Sequence, residues 1–267
     1  MKKNKNNLIQ KQLMDIYKKE AKLLEEKPPS YIKNKLSPIK ETLEDKIPDK
    51  LQSTLELAFE KGFKVVFDKG VGLIEKTYNR DNINMELDIN TYAIEKYPTK
   101  RNFKKIDKSA NRKTMLNKSI SAVEGTALGL LGIGLPDIPI YIGVILKSIY
   151  EISLSYGFNY NSQNEKAYIL TIICAAVTST TEKKYYFDKL DKMANEIDAN
   201  KNPNYQLDEL LKETSNKIST YMLTSKFIQG LPLIGVVGGV TNFKTLQDIS
   251  TIAKLKYKKR YLNNLQI

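Results

Sequence analysis

Hydrophobic positions recur along most of this chain with a period of three to four residues, and no alternating run survives inspection. Ile9, Leu13, Ile16, Tyr17 and Leu24 mark one apolar face over residues 8–26, with Lys and Glu between them. Pro28, Pro29, Pro38 and Pro48 break residues 27–50, which read as an irregular continuation. Residues 1–50 are thus expected as a helical N-terminal arm, and 51–267 as the main domain. Residues 50–78 repeat the helical spacing through Leu51, Leu55, Phe59, Phe63, Val66, Phe67 and Ile74. Gly62, Gly70 and Gly72 interrupt it, each weakening an isolated helix by about 1 kcal/mol relative to Ala. Glycines at helical spacing point to close approach by another helix. Residues 79–95, opening with Asn79, Arg80, Asp81 and Asn82, read as polar and turn-like, and Tyr97-Pro98 as a boundary.

The centre is the least ordinary stretch. Asp137 is the only charge in the 22 residues from Gly125 to Leu146. That length suits a membrane span, but Pro136-Asp137-Ile138-Pro139 divides it, with Asp137 placed to cap the second half. Each half then offers roughly 15–18 Å of helix against a ~30 Å hydrocarbon core. The second half is expected to run through Leu154 and stop at Gly157. Ser162 and Glu165 form a capping box before a helix, apolar on nearly all sides, reaching Val177. Helices are further expected over Glu182–Ile197 and Leu207–Ile228, with a turn at Asn200–Tyr205 between them. A second glycine-studded apolar element spans Gly230–Val240. A last helix follows through Phe243, Ile249, Leu255 and Leu262. The fold class is all-α: a single compact multi-helix bundle with Gly/Pro-broken apolar helices at its centre and a helical N-terminal arm.

Composition narrows the chemistry. The 267 residues contain no His, no Trp and one Cys. A Ser-His-Asp or Cys-His catalytic unit cannot be built, nor a His/Cys zinc site, nor an internal disulfide. Lys and Arg number 43 against 30 Asp and Glu, a formal charge of +13. Two clusters stand out. One covers residues 96–118 and includes Lys104, Lys105, Lys108, Arg112 and Lys113; the other is Lys254, Lys256, Lys258, Lys259 and Arg260. Lys-rich clusters suit diffuse attraction to phosphates better than base readout. The basic start Met1-Lys2-Lys3 precedes an amphipathic stretch rather than an apolar one, so no secretory leader is expected.

Glu124-Gly125 with Gly129, Gly132 and Gly134 leads into Leu135-Pro136-Asp137-Ile138-Pro139, then Glu151-Ile152, Tyr156-Gly157-Phe158 and Glu165. In this order they resemble the EcsC protein family. Leu231-Pro232-Leu233-Ile234-Gly235 with Gly238, Gly239 and Asn242, before a Lys- and Arg-rich end, is similar to that family's second hallmark. The resemblance covers roughly residues 50–262. It implies a cytosolic or membrane-associated helical protein, in a family named for the third product of an operon whose first two products form an ABC transporter. Some members carry a hydrolase or peptidase label. The resemblance brings no catalytic residue and no cofactor to this chain.

Two sets of residues remain as candidates. Glu124, Asp137 and Glu151 would form an acidic cluster for metal binding or acid–base work if they converged. Their simpler roles are an ion pair for each glutamate and a helix cap for Asp137. Glu165 has its capping role and Cys174 that of a core thiol. Leu135, Pro136, Ile138, Pro139, Leu231 and Pro232 are expected either in tight core contacts or at the surface of an apolar hairpin that dips into a bilayer. The favoured expectation is a non-enzymatic protein, cytoplasmic and peripheral to the inner face of the cell membrane. Its partners would be an anionic membrane surface or transporter subunits, with nucleic acid as the lesser alternative. No metal and no cofactor are expected.

Overall fold

The computed structural model describes residues 2–25, 48–115, 137–201, 203–228 and 239–266. Helix α1 is Lys2–Glu25 and α2 is Asp49–Val65. A π-helical segment, Val66–Gly70, carries α2 into the short α3, Val71–Glu75. Then come α4 (Arg80–Lys96), α5 (Lys100–Met115) and α6 (Asp137–Ser155). The rest are α7 (Gln163–Val177), α8 (Thr180–Asp198), α9 (Leu207–Ile228) and α10 (Gly239–Asn264). The described residues form an all-α bundle without strands.

Helices α6 and α7 occupy the interior because their sequences offer no polar face to water. Every residue of α7 from Ala167 to Val177 is buried. Ser162 Oγ accepts the Glu165 backbone N–H at 3.1 Å and starts this helix, which is the serine half of the expected capping box. Helix α6 packs under α2, α4, α5 and α10, and α7 under α8, α9 and α10. Gly62 lets α2 close on α6: a Cβ there would lie 2.6 Å from Ile142 Cδ1 and 3.3 Å from Ile138 Cγ2. Helix α6 ends where expected. Gly157 takes φ +85°, and the amides of Gly157 and Phe158 return to the carbonyls of Leu154 and Ser153, a Schellman closure.

Two expectations change. Residues 80–96 are a helix, not a turn. Asn79 caps it by accepting the Asn82 N–H at 2.9 Å, and Ile83 and Ile94 anchor it to the bundle. Helix α1 does not stand apart from the bundle. Its Ile9, Leu13 and Ile16 join the common core, and it packs on α8 and α10.

Candidate functional site

Helix α10 carries the C-terminal basic cluster, and the structure turns most of it inward. Lys256 is 1% exposed; its Nζ lies 2.8 Å from both Glu20 Oε1 and Asp191 Oδ1. Lys259 Nζ reaches Asp191 Oδ2 at 2.7 Å and Glu20 Oε2 at 3.2 Å. Arg260, 2% exposed, donates to Glu165 and to both oxygens of Asp198. Its guanidinium lies 4.1 Å from the Phe158 ring centre and 4.6 Å from that of Tyr168. Lys258, nearer the surface, donates to Asp107 at 2.7 Å and to Gln12 at 2.6 Å.

The expected C-terminal basic patch is therefore not a surface. Helix α10 packs against α1, α6, α7, α8 and α9, so Lys256, Lys259 and Arg260 meet carboxylates rather than water. Glu20, Glu165, Asp191 and Asp198 more than offset Lys256, Lys259 and Arg260. Burial opposes charge on Arg260, but hydrogen bonds to Asp198 and Glu165 outweigh it and hold its pKa above the ordinary value. Burial likewise opposes charge on Lys259, and Asp191 and Glu20 reverse that effect. The Glu165 side chain does not take its expected capping role: its backbone N–H meets Ser162 at the start of α7, while its carboxylate holds Arg260 and accepts from the Tyr257 hydroxyl at 3.1 Å. A cavity of about 270 Å³ adjoins the network between Tyr17, Tyr168, Asn195 and Asn263. A cleft of about 550 Å³ lies at the starts of α7 and α9, where Asp68 and Asp208 face Lys64 and Lys166. Neither has the one-signed lining of a site for a charged ligand.

The acidic trio does not converge. Glu124 lies outside the described residues. Asp137 and Glu151 sit on the unbroken α6, fourteen residues apart. That places them about 21 Å apart along the helix axis, whereas catalytic carboxylate pairs lie within about 5–9.5 Å. Asp137 is the first residue of α6, and Glu151 is buried in the core. Among the described residues no group of three His, Cys, Asp or Glu is placed to hold a metal.

Of the two settings expected for Ile138 and Pro139, core contact or a membrane-dipping hairpin, the structure shows the first: both are buried beneath α2 at Gly62. Leu135, Pro136, Leu231 and Pro232 lie outside the described residues. Within α6, Ile138–Ser155 is long and apolar enough to cross a membrane, but 94% of it is buried inside the bundle. It is a core helix, and its apolar composition is accounted for by its neighbours.

The other basic cluster is a surface. On α5, Phe103, Ile106 and Ala110 face the core, while Lys100, Arg101, Lys104, Lys105 and Lys108 are exposed on the opposite face. The helix's one carboxylate, Asp107, is engaged by Lys258 and by the Tyr156 hydroxyl. Arg112 and Lys113 continue the helix; their side chains lie outside the described residues. Beside it, α4 exposes Met85 (56%), Ile89 (62%) and Tyr92 (62%). This apolar stripe escapes a reading of residues 79–95 as a turn. Asn79 as a cap, followed by Ile83, Leu87 and Ile94 at helical spacing, is the signal that would reveal it.

Comparison with known proteins places the chain. It is 24% identical over 155 residues to Protein EcsC of Bacillus subtilis (strain 168), covering 57% of this chain and 62% of that one. It is 24% identical over 153 residues to the uncharacterized protein YdbA of the same organism, 52% of each chain. The chain thus covers less than two thirds of the length of either relative. No solved structure matches it. The sequence profile of the EcsC protein family matches residues 10–262, which includes most of α1 as well as the motifs from residue 50 onward. The chain belongs to the EcsC protein family.

Proposed function

We propose that this EcsC-family protein is a non-catalytic helical protein that binds peripherally to an anionic membrane surface on its cytoplasmic side, as an accessory to membrane transporter subunits. The observation that carries the reading is the outer face of α5, where five cations are exposed and the helix's one carboxylate is occupied from within the bundle. Basic residues near an anionic leaflet contribute about 1 kcal/mol each, so the face supplies up to about 5 kcal/mol of attraction. The transporter part of the proposal rests on the operon after which the family is named. The alternative, a hydrolase or metal-using enzyme on Glu124, Asp137 and Glu151, is not favoured, because Asp137 and Glu151 are four turns of helix apart.

The test is co-sedimentation with vesicles containing phosphatidylserine. Binding should fall steeply between 0.1 M and 1 M salt, as the screening length shortens from about 10 Å to about 3 Å. Lys104→Gln, Lys105→Gln and Lys108→Gln together should weaken it by roughly a hundredfold, the equivalent of about 3 kcal/mol. Equal binding to uncharged vesicles, or binding that the triple variant leaves intact, contradicts the proposal.

A further inference from the structure

We infer that the α4–α5 hairpin is the docking element, and that it lies flat on the bilayer with Met85, Ile89 and Tyr92 entering the headgroup region. The inference rests on the peripheral-membrane reading above and adds to it which surface inserts. Met85, Ile89 and Tyr92 follow one another at i, i+4 and i+7, so they share one stripe of α4. Ile83 and Ile94 anchor the opposite side of the same helix. Large apolar side chains left in water along one face mark an interaction surface rather than scattered exposure.

The neighbouring helix supplies the complementary signal on the same side of the molecule. Both α4 and α5 pack on α6, so the faces they turn away from α6 point to one side. Their alignment is fixed by polar contacts. Ser109 Oγ donates to Glu86 Oε2 at 2.6 Å, and Asn102 Nδ2 donates to the carbonyls of Ala93 and Tyr97 at 3.1 and 2.8 Å. Tyr97, exposed at the connecting turn, sits between Lys96 and Lys100, and Lys96 Nζ lies 5.6 Å from the Tyr92 ring centre. The exposed carboxylates of α4 are Asp81, Asp88 and Glu95. By helical position they fall on the flank away from α5. The hairpin thus exposes six cations, Lys96 included, against three carboxylates. A shallow apolar insert beside a basic face is the two-part signal that reversible attachment to anionic lipid requires. Tyr residues at the rim suit the boundary between headgroups and chains.

The chain contains no Trp, so Ile89→Trp gives a single reporter at an exposed position of the full-length protein. The probe is a vesicle of phosphatidylserine and phosphatidylcholine. Emission should be that of water-exposed indole without vesicles, shift to the blue on binding, and be quenched by lipids brominated along their acyl chains. Met85→Ser, Ile89→Ser and Tyr92→Ser together should lower vesicle binding by at least about tenfold, with the native far-ultraviolet spectrum and the salt dependence retained. If the Ile89→Trp protein sediments with vesicles while its indole emission stays unchanged, the hairpin does not insert, and only the electrostatic reading survives. If no vesicles bind, both readings fall. Emission already blue before lipid is added means the chain itself covers the stripe and overturns the inference, as does a response to RNA or DNA but not to vesicles.

Discussion

Replacing Arg260 with Met separates a buried charge network from a surface patch. Arg260 links α10 to α7 through Glu165 and to α8 through Asp198. The two carboxylates fare differently without it. Asp198 is partly exposed and regains water, but Glu165 is 5% exposed and keeps only the Tyr257 hydroxyl and its backbone cap. Removing one partner of a buried pair costs about 3–5 kcal/mol, because the remaining charge is stranded. The rings of Phe158 and Tyr168 lose their cation as well.

Urea unfolding followed by circular dichroism reads this directly. With a slope of about 3 kcal/mol/M for a chain of this size, the Arg260→Met midpoint should fall by about 1–2 M. Adding Glu165→Gln should recover most of the loss, since a neutral amide on that site no longer needs a cation, and the Ser162 cap uses only the backbone. Vesicle binding of the folded variant should be unchanged. A stability loss below about 1 kcal/mol, or intact stability with lost vesicle binding, would make Arg260 a surface cation and refute the reasoning.

Gly157→Ala should cost about 1–2 kcal/mol in the same assay, since φ is +85° and a Cβ would meet Leu87 Cδ2 at 3.1 Å. Gly62→Ala should destabilise despite the better helix propensity of Ala, and Ile142→Val, which removes the atom 2.6 Å away, should restore part of the loss; additive effects would mean that α2 and α6 do not meet there. Burial pushes the Cys174 thiol up to about 12, so an aromatic disulfide reagent should label it only after unfolding. At high pH two effects act with the same sign. Lys259 has a raised folded pKa, so its pairs stabilise fully below about 10.5 and are lost above. Burial holds the Tyr156, Tyr168 and Tyr257 hydroxyls well above 10, so the unfolded chain ionises first. The urea midpoint should stay level to about pH 9 and fall beyond pH 10; a level midpoint at pH 11 contradicts both assignments.

Local signals were legible in the sequence wherever the chain itself supplies the partner. The Ser162 cap, the Gly157 stop and the span Leu207–Ile228 each depend on residues within a few positions, and each stands in the structure. Helix α4 is obscured in the sequence because it is a lightly anchored surface helix: Ile83 and Ile94 are its only buried residues, and its polar composition resembles that of a turn. The apolar run through Ile138–Ser155 was ambiguous for a physical reason, since a helix enclosed by protein and one enclosed by lipid need the same side chains. The candidate carboxylates were legible only as residue types. Asp137 and Glu151 are close in sequence, yet the rise of the helix that joins them drives them apart.

The two basic clusters show most sharply what a linear count omits. Both are runs of Lys and Arg next to aromatics, yet one faces water and the other lies in the core. Packing decides between them. Helix α5 covers α4 and α6 on one side only, so its apolar residues segregate to that side and its cations to the other. The stretch of α10 that carries Lys256, Lys259 and Arg260 turns these three cations between α1, α7 and α8, so they find no water and are neutralised where they stand. The neutralising carboxylates come from separate helices: Glu20 on α1, Glu165 on α7, Asp191 and Asp198 on α8. Glu20 precedes Lys259 by 239 residues, a pairing that no spacing rule contains. It follows that the net charge of +13 overstates what α10 offers to a partner, and that the outward field is concentrated on faces such as that of α5. Charge removal on α5 should therefore weaken binding and spare stability, whereas removal of Lys256, Lys259 or Arg260 should do the reverse.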